Sequence, residues 1–127
     1  MALGACDHCP VAPSVLIVDD HADFRTFARA LLQGDGFDVV GEAADGESAL
    51  VAARSLKPGV VLLDVQLPDL DGFAVCERLA DNPDAPVVVL TSSRGESSYR
   101  RRLESSRAAG FVPKDELSGA ALTALMG

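Results

Sequence analysis

The sequence predicts an α/β domain, a doubly wound parallel sheet of five strands with five helices covering its two faces. Three short runs, residues 15–18, 60–63 and 87–90, are continuously apolar and rich in Val and Ile, the pattern of strands buried on both faces. The stretches between strands repeat apolar residues at helical spacing, and the connections are long enough for the right-handed crossovers that parallel pairing requires. At 127 residues the chain has room for one such core and no second one.

Residues 1–14 hold Gly4, Pro10, Pro13 and Ser14 with no apolar periodicity, so a flexible leader is expected there and the domain proper over 15–127. The leader carries Cys6-Asp7-His8-Cys9, which falls short of the four ligands of a tetrahedral zinc site. The first strand, 15–18, runs into Asp19-Asp20. Phe24, Phe27, Ala28, Leu31 and Leu32 then place one apolar stripe on a helix. The mixed stretch 37–41 reads as an edge strand. Ala49, Ala53 and Leu56 mark a second helix, and the run 60–63 ends at Asp64. Phe73, Cys76 and Ala80 mark a third helix, with Cys76 expected in the core, and the run 87–90 ends at Thr91. Between 96 and 108 the only large apolar residues are Tyr99 and Leu103, so a fourth helix there has little surface to bury and should be the least firmly docked. The basic run Arg100-Arg101-Arg102 on it reads as a solvated face. The short strand 110–112 precedes Lys114, and Leu117, Ala121 and Ala124 mark the last helix.

Charge and cysteine content exclude several classes of function. Nineteen acidic against eleven basic residues give a net charge of -8, which opposes binding to nucleic acid or to an anionic membrane surface through bulk charge. No run approaches the roughly 18 apolar residues of a membrane span. Three cysteines are too few for a disulfide framework, and the amino terminus lacks the basic and apolar regions of a secretory signal, so a reducing cytoplasm is expected.

In a doubly wound sheet of order 2-1-3-4-5, ligands bind beyond the carboxyl ends of the first and third strands. Asp19, Asp20 and Asp64 stand at those ends. Three converging carboxylates repel one another and call for a cation, and a few hard oxygen ligands suit Mg²⁺, which keeps waters and leaves room for phosphate oxygens. Thr91 and Lys114 add a hydroxyl donor and an ammonium to the same rim, as phosphoryl chemistry would use.

These residues together resemble the receiver domain of two-component response regulators over 15–126. The resemblance rests on Asp19-Asp20 after an apolar strand, on Asp64 followed by Val65-Gln66-Leu67-Pro68-Asp69-Leu70-Asp71-Gly72, on Thr91 after 87–90, and on Lys114 after Phe111-Val112-Pro113. It implies a flavodoxin-like sheet in the order 2-1-3-4-5. It also implies that Asp64 accepts a phosphoryl group from a sensor histidine kinase or a histidine phosphotransfer protein. Asp20 and Asp64 would hold Mg²⁺ directly, Asp19 through water, and the main-chain carbonyl of Gln66 would complete the set. Lys114 and Thr91 would meet the phosphoryl oxygens, Thr91 and Phe111 would form the switch, and the face of the fourth helix, fifth strand and fifth helix would bind a separate effector protein or a second copy as a homodimer. The resemblance implies a phospho-acceptor rather than an enzyme, beyond Mg²⁺-dependent autophosphorylation and autodephosphorylation.

Asp20-His21 and residues 111–115 look most like the subgroup whose members often carry a carboxy-terminal helix-turn-helix, for which this chain is expected to be too short. Many members place a proline after the rim lysine, whereas here Pro113 precedes Lys114 and Asp115 follows it. Two other functions would use the same fold. A receiver-shaped interaction module that no longer uses phosphate predicts a damaged site, but the acceptor, the lysine and the carboxylates are all present. A Mg²⁺-dependent phosphohydrolase needs a second Asp two residues after the nucleophile as general acid, and that position is Gln66.

Overall fold

The structure, a computed structural model, describes residues 13–126; the Cys6-Asp7-His8-Cys9 stretch lies outside the described residues. Five parallel strands, β1 (Ser14–Val18), β2 (Asp38–Ala43), β3 (Val60–Asp64), β4 (Val87–Ser92) and β5 (Gly110–Pro113), form one sheet in the order β2-β1-β3-β4-β5. The helices α1 (Ala22–Gly34), α2 (Gly46–Leu56), α3 (Gly72–Ala80), α4 (Arg100–Ser105) and α5 (Gly119–Met126) join them, with short 3-10 turns at Glu96–Tyr99 and Lys114–Glu116. The predicted fold class and strand order are both present. β1 begins at Ser14, one residue before the expected start, where the Ser14 hydroxyl accepts from the Gly59 amide at 2.8 Å.

The strand alternation of side chains builds two cores, one on each face. Leu16, Val18, Val61, Leu63, Val88 and Leu90 point toward α2, α3 and the α4 region. Val15, Ile17, Val60, Leu62 and Val89 point toward α1 and α5. β3, central in the sheet, has all five residues buried, and Asp64 is the last of them. Asp64, at the carboxyl end of this strand, is therefore anchored in the fully buried centre of the sheet.

Three expectations need correction. Phe27 does not belong to the buried stripe of α1: it is 54% exposed, and Ala28 and Leu32 carry the buried face while Phe27 leans on Phe24 with ring centroids 6.3 Å apart. The side chains of α1 drift around the axis, and Phe27 falls on the edge that the sheet does not reach. Leu56, at the last turn of α2, is 43% exposed although its Cδ1 lies over Gly41 at the sheet edge.

The third correction concerns the fourth connection. It is weak as an apolar element, since α4 has six residues and none is buried. Arg100, Arg101 and Arg102 are all exposed, as expected of a solvated face, but the last of them also takes partners on α3. Arg102 donates to the Asp71 carboxylate at 2.7 Å and lies over the Phe73 ring at 4.2 Å. Just beyond α4, Arg107 pairs with Glu77 at 2.9 Å and Asp81 at 2.8 Å. Two arginines thus tie this segment to α3, where the sequence shows only their charge. After β5 the chain turns through Lys114–Glu116 with no cis peptide among the described residues.

Candidate functional site

The carboxyl ends of β1 and β3 form the floor of the site. Asp19, fully buried, is held from behind by its own backbone: its amide donates to the Ala43 carbonyl of β2 at 3.0 Å, and its carbonyl accepts from Arg25 Nη1 at 2.6 Å. Arg25 and Arg29 of α1 both pair with Glu42 of β2, at 3.0 and 2.6 Å, which fixes the start of α1 beside the loop that carries the acids. Asp19 Oδ1 accepts from the His21 amide at 2.8 Å. Asp19 Oδ2 has no aligned hydrogen-bond donor among the described residues, although the Lys114 ammonium stands 2.6 Å away as an ion-pair partner.

Asp64 is 3% exposed. Its Oδ1 accepts from the Gln66 amide at 3.1 Å and its Oδ2 faces Lys114 Nζ at 3.3 Å. Burial pushes the Asp64 carboxyl up to about 6; the Gln66 amide and Lys114 offset part of that shift, and the neighbouring Asp19 charge adds to it. For Lys114 burial acts downward, yet the Asp19 and Asp64 carboxylates outweigh it and hold the ammonium above its ordinary value. The remaining acid, Asp20, is the most exposed of the three.

Ligand atoms from Asp19, Asp20, His21 and Asp64 all lie within 4.8 Å of one another. Three hard carboxylates, one with a buried oxygen that lacks an aligned donor, form a donor set compatible with Mg²⁺. The His21 ring, with Nδ1 3.1 Å from Asp19 and 3.0 Å from Asp20, covers two of them. The sequence marks His21 only as part of a motif and gives it no contact of its own.

The loop after Asp64 is tightly built. Gly72 donates to the Val65 carbonyl at 2.8 Å, and Gln66 pairs with Asp71 in a short antiparallel bridge. A Cβ on Gly72 would collide with the Asp64 carbonyl oxygen and sit 2.7 Å from Val65 Cα, so only glycine lets α3 start this close to the end of β3. Asp69 caps α2 across the loop, its two carboxylate oxygens accepting from the amides of Gly46 at 2.7 Å and Glu47 at 3.0 Å. The function of Asp69 was not legible in the sequence, because its partners are on a different element.

Thr91 lies beside Asp64 in the β3–β4 register and beside Val112 in the β4–β5 register. Its buried hydroxyl donates to the Val112 carbonyl at 2.7 Å. Phe111 is already packed inside: its ring centroid is 5.9 Å from that of Tyr99, which in turn lies 6.1 Å from Phe73. The Tyr99 hydroxyl is 3.3 Å from Ser92 Oγ. Asp19, Asp20, Asp64 and Lys114 therefore converge on one pocket, with Gln66 in its loop, while Thr91 and Phe111 lie along the β4–β5 edge that leads away from it.

Residues 15–125 match the response regulator receiver domain. The response regulator GacA of Pseudomonas protegens is 43% identical over 102 residues, 79% of this chain and 47% of GacA. The virulence factors transcription regulator BvgA of Bordetella pertussis is 40% identical over 102 residues, 80% of this chain and 49% of BvgA. The chain thus spans about half the length of the relatives it matches. Among solved structures, the signal receiver domain of the response regulator NarL from Mycobacterium tuberculosis is similar with a TM-score of 0.80 at 35% identity, covering 93% of this chain and 99% of that one.

Proposed function

The chain belongs to the response regulator receiver domain family of two-component signalling, and on that premise we propose that it is a phosphorylation-driven switch with Asp64 as phosphoryl acceptor. The observation that carries this reading is the Asp64 carboxylate itself. It is buried at the end of the central strand, with Lys114 Nζ 3.3 Å from one oxygen and carboxylate oxygens of Asp19 and Asp20 within 4.8 Å of its own. The donor is a sensor histidine kinase or a histidine phosphotransfer protein. In the transfer the phosphorus–nitrogen bond of a phosphohistidine breaks, its electron pair stays on the imidazole, and an Asp64 oxygen forms the new phosphorus–oxygen bond in line.

Because such a transition state is loose, catalysis consists of positioning and charge stabilisation. Asp20 and Asp64 would hold Mg²⁺ directly, with Asp19 through water and the Gln66 carbonyl completing the set. Bound there, Mg²⁺ supplies electrostatic stabilisation of the equatorial oxygens. Lys114, already paired with two carboxylates, is placed to follow the added charge. The Thr91 hydroxyl must leave the Val112 carbonyl to reach a phosphoryl oxygen. Since Phe111 is buried before any such event, the change left to phosphate is the Thr91 hydrogen bond and the position of α4, more than a swing of the Phe111 ring. The α4–β5–α5 face, with an open groove between Phe111, Pro113, Ala121 and Leu125, is the surface for an effector protein or a second copy. The domain acts in the cytoplasm as an acceptor, with no turnover beyond its own phosphorylation and dephosphorylation.

The test is labelling by acetyl phosphate or a phosphohistidine donor. Asp64→Asn abolishes it if the reading is right, and label retained on another residue overturns it.

A further inference from the structure

Lys114 is one of only two lysines in the chain, and its ammonium meets a third group besides the carboxylates. Phe24, in the first turn of α1, presents its ring to Lys114 Nζ with 4.6 Å between the ammonium and the ring centroid. The Lys114 side chain is 16% exposed, so its charge sits between Asp19 at 2.6 Å, Asp64 at 3.3 Å and the face of this ring. A lysine ammonium is a compact, strongly hydrated charge on a flexible stem and swings readily into water. An aromatic face offers it a favourable alternative to water because the ring quadrupole is negative there, and the contact strengthens where solvent is partly excluded.

Phe24 is itself well supported. It packs at the edge of the α1/α5 core and touches Phe27 at 6.3 Å between ring centroids. The start of α1 is fixed by the Arg25 bond to the Asp19 carbonyl and by the Arg25–Glu42–Arg29 pairs. The ring and the Asp19 carboxylate are thus held by the same short segment, and Lys114, arriving from the end of β5, is gripped between them.

We propose that Phe24 is a positioning residue for Lys114, holding the ammonium over the carboxylate rim by a cation–π contact so that it meets the incoming phosphoryl group without first being recovered from solvent. This rests on the reading of Asp64 as acceptor. It assigns the exposed start of α1 a part in the chemistry, alongside its helical packing.

The test compares Phe24→Leu, which keeps an apolar side chain and helix propensity but removes the ring face, with Phe24→Tyr, which keeps the face. With lysines labelled at Cε, the Lys114 methylene in the unmodified chain shows an upfield ring-current displacement. Lys57, on a 70% exposed side chain, serves as the internal control. The displacement disappears in Phe24→Leu and stays in Phe24→Tyr. In Phe24→Leu, affinity for fluoroberyllate in the presence of Mg²⁺ and the rate of labelling by acetyl phosphate each fall about fivefold, the scale of a partly desolvated cation–π contact. Mg²⁺ affinity measured without the phosphoryl mimic does not fall, and Phe24→Tyr restores both losses.

Fluoroberyllate binding and labelling equal to the unmodified chain in Phe24→Leu overturn the proposal while leaving Asp64 as acceptor. A parallel fall in Mg²⁺ affinity also overturns it, since a general loosening of the pocket then accounts for the effect. If the unmodified chain itself neither binds fluoroberyllate nor takes label, the acceptor reading fails and this inference fails with it.

Discussion

α3 and α4 flank the same sheet face and differ in what holds them. α3 is nine residues long and buries Phe73, Val75, Cys76 and Leu79, and its start is pinned by the Gly72 amide and the Asp71 cap. α4 is six residues long and buries nothing; Tyr99 in the turn before it supplies the apolar anchor, and Arg102 and Arg107 supply ionic ties back to α3. Apolar burial is strong and has no preferred direction, whereas surface ion pairs are worth little and can be exchanged. The first kind of contact suits an element that holds the loop after Asp64 still. The second suits an element that would shift if, as proposed, a phosphoryl group added charge at Asp64.

Core truncation sharpens the contrast most. Leu79→Ala should cost about 2–5 kcal/mol, as for a buried leucine, and Leu103→Ala, on a partly exposed site, distinctly less; urea denaturation measures both. Comparable losses would mean that α4 is docked as firmly as α3.

The pocket beside α3 gives the next effect. Mg²⁺ should raise the melting temperature, by up to about 2.7 kcal/mol of stability at a hundredfold excess over Kd, and Asp20→Ala should remove most of this. An unchanged shift in Asp20→Ala would place the ion elsewhere.

In metal-free buffer the same pocket is strained electrostatically. A carboxyl raised to about 6 in the folded chain favours its protonated form there, so this group makes folding more favourable as pH falls from 7 toward its unfolded value, and less favourable above 6. Asp64→Asn should therefore raise the melting temperature at pH 7 and flatten its pH dependence between 7 and 4, as followed by circular dichroism. A lower melting temperature in Asp64→Asn would show that Lys114 more than compensates the burial.

The smallest effect concerns the ties themselves. Arg102→Ala should change global stability by no more than the ~1 kcal/mol of an exposed pair, yet speed amide exchange across 96–108 more than across α3. Amide exchange with the fluoroberyllate mimic should likewise centre on residues 91–115, and changes confined to α1 and α2 would break the assignment of α4 as the responsive element.

The sequence by itself determined the strands and the polar residues at their ends, and its resemblance to receiver domains implied the order in which they pair. Short, β-branched, continuously apolar runs read as strands buried on both faces, a doubly wound parallel sheet binds ligands beyond its carboxyl ends, and Asp19, Asp20, Asp64 and Lys114 stand at the strand ends that border that crevice. It also determined that α4 would be short of apolar anchors. Tertiary structure alone decided which partner each polar side chain takes. Thr91 could face Asp64 or the Val112 carbonyl and faces the latter; Arg102 and Arg107 could be solvated and instead brace α3; Asp69 caps a helix from another element; Phe24 meets Lys114 across the pocket. Burial follows from periodicities that are local and additive along the chain. Hydrogen bonds, ion pairs and ring contacts depend on distances between residues far apart in sequence and on one rotamer among several, and those are set only when the elements pack.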